Sequence, residues 1–205
     1  LGISLFVLLL ASVSTFLYFE QARLVEMKFP DRADQTRVFG TIDAIVQSLT
    51  ILSQLFITGR LVQRLGMAAL LVAVPVVTML GFVWLAFAPT FAVLAVVMVV
   101  RRAGEYAFVR PGREMLFTVV PTEAKYKAKN FIDSVVYRGA DAVSGWAKAL
   151  VDMLAQQPAI AALLGAAIAL AWALTGAGLA RAHSRVIEKE SLPEGFDVAG
   201  EGVRR

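Results

Sequence analysis

The stretch Val99 to Phe117, VVRRAGEYAFVRPGREMLF, places Arg101, Arg102, Glu105, Arg110, Arg113 and Glu114 directly after a long apolar run. Charges embedded in apolar helix are costly unless they pair with one another or face water, so they mark a pathway for a polar solute better than a lipid anchor. Glu105 stands three residues after Arg102 and four after Arg101, and one carboxylate neutralises only one guanidinium. The other positive charge requires an acid on a different helix, with Glu20, Asp43 and Asp141 as candidates, or an anionic substrate. A fully satisfied intramembrane ion-pair cluster is the structural alternative. Arg101 lies about 18 Å along a helix from Pro89, near or just past the middle of a bilayer. Pro111 and Gly112 are expected to kink or break this helix and to free backbone groups that protein or water must satisfy. Arg110, Arg113 and Glu114, together with Lys127 beyond them, then form a gate at the cytoplasmic end.

Other polar positions fall at helical spacing. Asp43, Gln47, Thr50, Gln54 and Thr58 recur every three or four residues, which gives one helix a polar stripe along its length. Such a stripe is either hydrogen-bonding glue between helices or a cavity wall. Further on, Lys127, Asp133, Tyr137, Asp141, Ser144 and Lys148 follow a similar spacing, and Arg138 and Asp141 at i and i+3 can pair on one face. Glu20 lies about 15 Å inside the helix end marked by Pro30. It is buried if that helix runs to Phe29 and interfacial if the helix ends near Gln21. The only histidine, His183, lies in a terminal basic segment, and no triad or metal-ligand spacing is present. Neither an enzyme, a metal nor a cofactor is expected.

The elements that position these residues are membrane helices. Of the 205 residues 58% are hydrophobic and only 18% charged, with a mean hydropathy of +0.69, less charge than a soluble domain of this size carries. The net charge of +4 resides at the ends of apolar segments and no recognition motif accompanies it, which argues against nucleic acid as a partner. There is no cysteine, hence no disulfide framework and no thiolate metal site. The chain opens inside an apolar run without Met or a basic n-region, so a signal peptide is not expected and a piece of a longer protein is.

A bilayer crossing needs about 20 apolar residues, and six segments qualify: about 1–29, 36–65, 67–88, 90–119, 122–155 and 158–183. Together they form an all-α, polytopic unit over residues 1–187. Residues 188–205, with Pro, Gly and alternating charge, read as a mobile tail. Lys and Arg gather near Arg60 and Arg64, at Arg110 to Lys129, and in the tail, so the positive-inside rule places these ends and the C-terminus in the cytoplasm. The loop with Lys28, Arg32 and Arg37 dissents. The turn GRLVQRLG at Gly59 to Gly66 is basic and tight, and helix six, LLGAAIALAWALTGAGLA, has the small residues that allow close helix contact.

Three stretches carry a family resemblance: FLYFEQARL around Glu20, continuing to FGTIDAIVQSLTILSQ; EYAFVRPGREMLFTVV; and KYKAKNFIDSVV at Lys125 to Val136. In order and spacing, over about residues 15 to 145, they resemble the second half of the ATP/ADP antiporter family of plastids and intracellular bacterial parasites, which is related to the major facilitator superfamily. The resemblance implies helices seven to twelve of a twelve-helix transporter, with a six-helix N-terminal half as partner, in a bacterial inner membrane. It maps the family's helix-seven glutamate onto Glu20. Its helix-eleven lysine falls near Asp141, where this chain has an acid, and Pro111 with Arg110 and Arg113 also departs from the family pattern. The expectation is alternating-access transport of a small anionic solute, through a cavity lined or braced by Glu20, Asp43, Gln47, Gln54, Arg101, Arg102, Glu105, Tyr137, Arg138 and Asp141. Nucleotide exchange, with Arg138 replacing the lysine, and a non-transporting scaffold or receptor of the same fold are the alternatives.

Overall fold

The computed structural model describes residues 2–55, 59–118, 130–155 and 158–191, apart from the side chains at 59–65, 133, 137, 148, 150–155, 158 and 189–191. Among the described residues 95% are helical and none is in a strand. The helices are α1 (Gly2–Lys28), α2 (Arg32–Ser53), α3 (Gly59–Phe87), α4 (Phe91–Gly104), α5 (Arg110–Leu116), α6 (Tyr137–Ala155) and α7 (Pro158–Ser191). π-helical turns at Glu105–Val109 and Ile132–Val136 precede α5 and α6.

Local chemistry explains most of the boundaries. Pro30 follows α1, and Asp31 then caps α2 by accepting from the Ala33 N–H at 3.0 Å. The helix therefore begins at Arg32 rather than Thr36, and it runs to Ser53. Gly66, at φ 70, interrupts α3 with a left-handed residue that suits glycine alone among common side chains. The basic segment before it is thereby set off from the apolar run behind it. Thr90 caps α4 by accepting from the Val93 N–H at 3.4 Å. Pro158 opens α7, where its missing N–H costs little, and the helix continues past His183 to Ser191 because no Gly or Pro lies between Gly178 and Pro193. The start expected for the fifth span, at 122–129, and the tail beyond 191 lie outside the described residues.

Among the described residues three helices are long and apolar enough to cross a membrane: Gly2–Lys28, Gly66–Phe87 and Ala159–Glu188. They form one layer. α7 lies along α3 and also packs on α1, with Trp172 fully buried and its ring 5.6 Å from that of Phe6. Outward from this layer point Leu80, Trp84, Phe87, Leu163, Leu170 and Leu174, all exposed. An apolar exterior of this kind suits lipid. The more polar helices lean on the layer: α4 on α3 and α1, α2 on α4, and α6 on α1.

Two prolines sit inside helical runs, and each leaves a carbonyl without its usual donor. Pro75 provides no N–H to Leu71. Gly176 brings α7 so close to this carbonyl that a Cβ there would stand 2.6 Å from the Leu71 oxygen. Of the kink or break expected at Pro111, the break does not occur: the chain remains helical through Arg110 (φ -63, ψ -52), and the adjustment is the π-helical turn before it. In that turn the Arg110 N–H reaches back to the Glu105 carbonyl, so the Tyr106 carbonyl would look to residue 111, a proline. Gln54 of α2 donates its side-chain amide to the Tyr106 oxygen instead, at 3.2 Å.

Gly176→Ala should therefore push α7 off α3 and destabilise the fold by about 1–3 kcal/mol. Gly178→Ala, with nothing within 4 Å of its added Cβ, should be neutral or stabilising by up to about 1 kcal/mol. Thermal unfolding of the two variants in the same detergent, followed by circular dichroism, checks the contrast.

Candidate functional site

Arg101 occupies the last turn of α4 and is 5% exposed. Its Nη1 donates to Glu105 Oε2 and to Ser14 Oγ of α1, both at 2.9 Å. Glu105 is 6% exposed, and the i,i+4 spacing brings it to Arg101 without help from other elements. The Arg101 Nε has no hydrogen-bond partner. Arg110 approaches the other Glu105 oxygen at 3.9 Å while its guanidinium lies 4.1 Å from the Tyr106 ring centroid.

Arg102, one residue further and so about 100° around the helix, faces α2 and pairs with Asp43. Each arginine thus has its own carboxylate. The spare positive charge that the spacing of Arg101, Arg102 and Glu105 leaves over is met by Asp43, one of the three acids considered for it. Asp141 has a different partner: the single hydroxyl proton of Thr15 in α1 is shared between Asp141 Oδ1 and the Ala11 carbonyl, each at 3.0 Å. Three residues on, Ser144 donates to Ser12 of α1 at 2.7 Å, so two polar contacts join α6 to α1 along one face.

Between α1, α2, α4 and α6 lies a cavity of about 550 Å³. Ser14, Thr15, Tyr18 and Phe19 of α1 form one wall, with Gln21 beyond them. Phe39 and Asp43 of α2 face Met98, Arg101 and Arg102 of α4, and Asp141 and Gly145 of α6 complete it. Its size is within the range of small-molecule sites.

Of the residues expected at this site, Asp43, Arg101, Arg102 and Asp141 come together in the lining, and Glu105 braces Arg101 from behind. Others are placed differently. Glu20 is buried, 3% exposed, but outside the lining, and it pairs with Arg23 at 2.6 Å. Gln47 is exposed, because α2 turns Ile42, Val46 and Thr50 inward and not the Asp43 to Gln54 stripe as a whole. Gln54 serves the Tyr106 carbonyl instead of the cavity. Arg138 is exposed and makes no ion pair with Asp141, since the carboxylate is turned toward Thr15 of α1. Arg113 and Glu114 are half-buried in α5. The Tyr137 side chain and the whole of Lys127 lie outside the described residues.

Sequence reasoning missed Ser14, Thr15, Tyr18, Phe19 and Phe39. The available signal was the run SVST in an otherwise apolar helix, where a hydroxyl that donates to the carbonyl four residues back still has an oxygen free to accept, as Ser14 does from Arg101. Among the described residues no group of three or more His, Cys, Asp or Glu is placed to hold a metal ion. No family model, no curated protein and no solved structure matches this chain.

Removing one member of a buried ion pair leaves the other charge unmet, which costs about 3–5 kcal/mol, whereas replacing both by apolar residues can be neutral. Glu105→Leu should accordingly lower the unfolding temperature sharply, and the double variant Arg101→Met with Glu105→Leu should recover most of the loss. Differential scanning calorimetry in micelles reads both.

Proposed function

We propose that this chain is one six-helix half of an alternating-access membrane transporter of the major facilitator type, whose solute passes through the cavity between α1, α2, α4 and α6. The observation that carries the reading is the cavity itself: two arginines and two aspartates face about 550 Å³ of space, beside three helices with the length and composition of membrane spans. Charges at this depth are retained where they serve a pathway. The remaining three crossings would be made by α2, by α4 with α5, and by α6, which are less apolar because they carry the polar lining. A second half would cover the cavity, and the two halves would rock about it. In this reading the protein resides in a bacterial inner membrane with its C-terminus in the cytoplasm, as its Lys and Arg distribution favours.

The anionic solute expected from an unpaired arginine loses its main support, because Arg101 and Arg102 both already hold carboxylates. Nucleotide exchange would require phosphates to displace them.

The test is uptake into proteoliposomes by both halves reconstituted together, with labelled organic cations, organic anions and nucleotides supplied in parallel. Saturable uptake of one class is expected, and Arg102→Ala, which leaves Asp43 without its partner in the cavity, should lower uptake of an anion by about tenfold or more and should not lower uptake of a cation. If folded protein moves none of these solutes, the transport reading falls and a scaffold or receptor role takes its place.

A further inference from the structure

We infer that the cavity binds a small organic cation, an alkylammonium or quaternary ammonium group, with Asp141 as its counter-ion and the aromatic wall of Tyr18, Phe19 and Phe39 as its apolar seat. The inference rests on the transporter reading for its biological use but on the cavity alone for its chemistry.

Charge is the first argument. Arg102 is matched by Asp43, and Arg101 is matched by Glu105 just behind the lining. Among the described residues Asp141 has only a hydroxyl, that of Thr15, which it shares with the Ala11 carbonyl. Arg138, the nearest arginine in sequence, is exposed and makes no ion pair with it. Arg110, the other cation near the group, is outside the lining and lies against Tyr106 and Glu105. Glu105, itself outside the lining, is shared by Arg101 and Arg110, so among the described residues Asp141 is the one carboxylate of this group that no arginine pairs with. A carboxylate set against apolar helices is strongly favoured by a positive partner, because the surroundings screen it less than water does.

The walls then decide which cation. A metal ion needs several oxygen ligands in a compact shell, and Asp141 with one hydroxyl does not make one. Among the described residues no acidic or histidine cluster supplies more. Aromatic faces, by contrast, attract ammonium groups and accept their alkyl substituents. Tyr18 and Phe19 lie edge to face at 6.1 Å, and Phe39 comes to the same cavity from α2. Gly145 keeps the α6 wall low opposite Phe19, where a Cβ would come within 3.9 Å of the ring. The resulting volume exceeds that of a simple quaternary ammonium, leaving space for substituents near Ser14 and Gln21.

Equilibrium binding of tritiated choline to the reconstituted protein is the direct test, because binding is read independently of transport. Saturable binding is expected. It should be displaced by unlabelled tetraethylammonium, and not by 3,3-dimethylbutan-1-ol, which has choline's shape without its charge. Asp141→Asn keeps an oxygen for Thr15 and should weaken binding by about tenfold or more, whereas Asp141→Glu should retain it. Phe39→Leu should weaken it by a smaller factor, and this variant carries the test should Asp141→Asn fail to fold. Equal displacement by the uncharged alcohol, displacement by millimolar sodium, unchanged affinity in Asp141→Asn, or absence of saturable choline binding would each overturn the inference. Uptake of some other solute by a protein that binds no choline would do so while leaving the transporter reading intact, and choline binding without uptake of any solute would do the reverse.

Discussion

A guanidinium buried to 5% exposure among apolar helices must find both charge and hydrogen-bond partners, and the placement of Arg101 organises the elements around it. Glu105 supplies the charge from the same helix, and Ser14 supplies an acceptor from α1. Because Glu105 is occupied in this way, Arg102 must look outward, and Asp43 draws α2 against α4. α1 is fixed on its other side by Thr15 and Ser12, which meet Asp141 and Ser144 of α6. The buried charge is thus tied directly to α1, and the helices that bound the cavity are joined by short polar contacts, buried at Arg101 and Ser144 and more exposed at Asp43.

The two in-helix prolines impose a second constraint of the same kind. Each removes a backbone donor in an environment with few replacements. Near Pro111 the Gln54 amide serves the Tyr106 carbonyl, and near Pro75 the backbone of α7 at Gly176 packs closely on the Leu71 carbonyl. Proline here coincides with close contacts between helices. The π-helical turn at Glu105–Val109 transfers the unmet carbonyl to Tyr106, within reach of Gln54.

Much of this was legible in the sequence. Pro30, Pro89 and Pro158 stand at helix junctions because proline's ring and missing N–H act locally, and Gly66 separates two helical runs because its backbone angle does too. The crowding of charge after Val99 marked Arg101 and Arg102, which line the cavity, for a similar reason, since a charge in an apolar run is costly wherever the chain goes. Pairing was less legible. Asp43, Glu20 and Asp141 were equivalent acids for the second arginine, and only the rotation of α2 about its axis selects Asp43. The i,i+3 spacing of Arg138 and Asp141 permits a contact, but the choice between that arginine and the Thr15 hydroxyl is made by how α6 faces α1. The polar stripe of α2 divided for the same reason, with Asp43 in the lining, Gln54 at a carbonyl and Gln47 outside. Spacing specifies neighbours on one helix; it does not specify the direction in which that helix is turned.

α2 is held to its neighbour at two places. Asp43 grips Arg102, and about three turns further along α2, Gln54 grips the Tyr106 backbone. One attachment would act as a pivot, about which a helix can roll. Two attachments spaced along the axis act as a keyed joint: rolling α2 would strip an ion pair at one point and take the Gln54 amide from the Tyr106 carbonyl at the second. α2 and α4 are in mechanical terms a single lever, so that a force applied to α2 is delivered directly to the turn that carries Glu105.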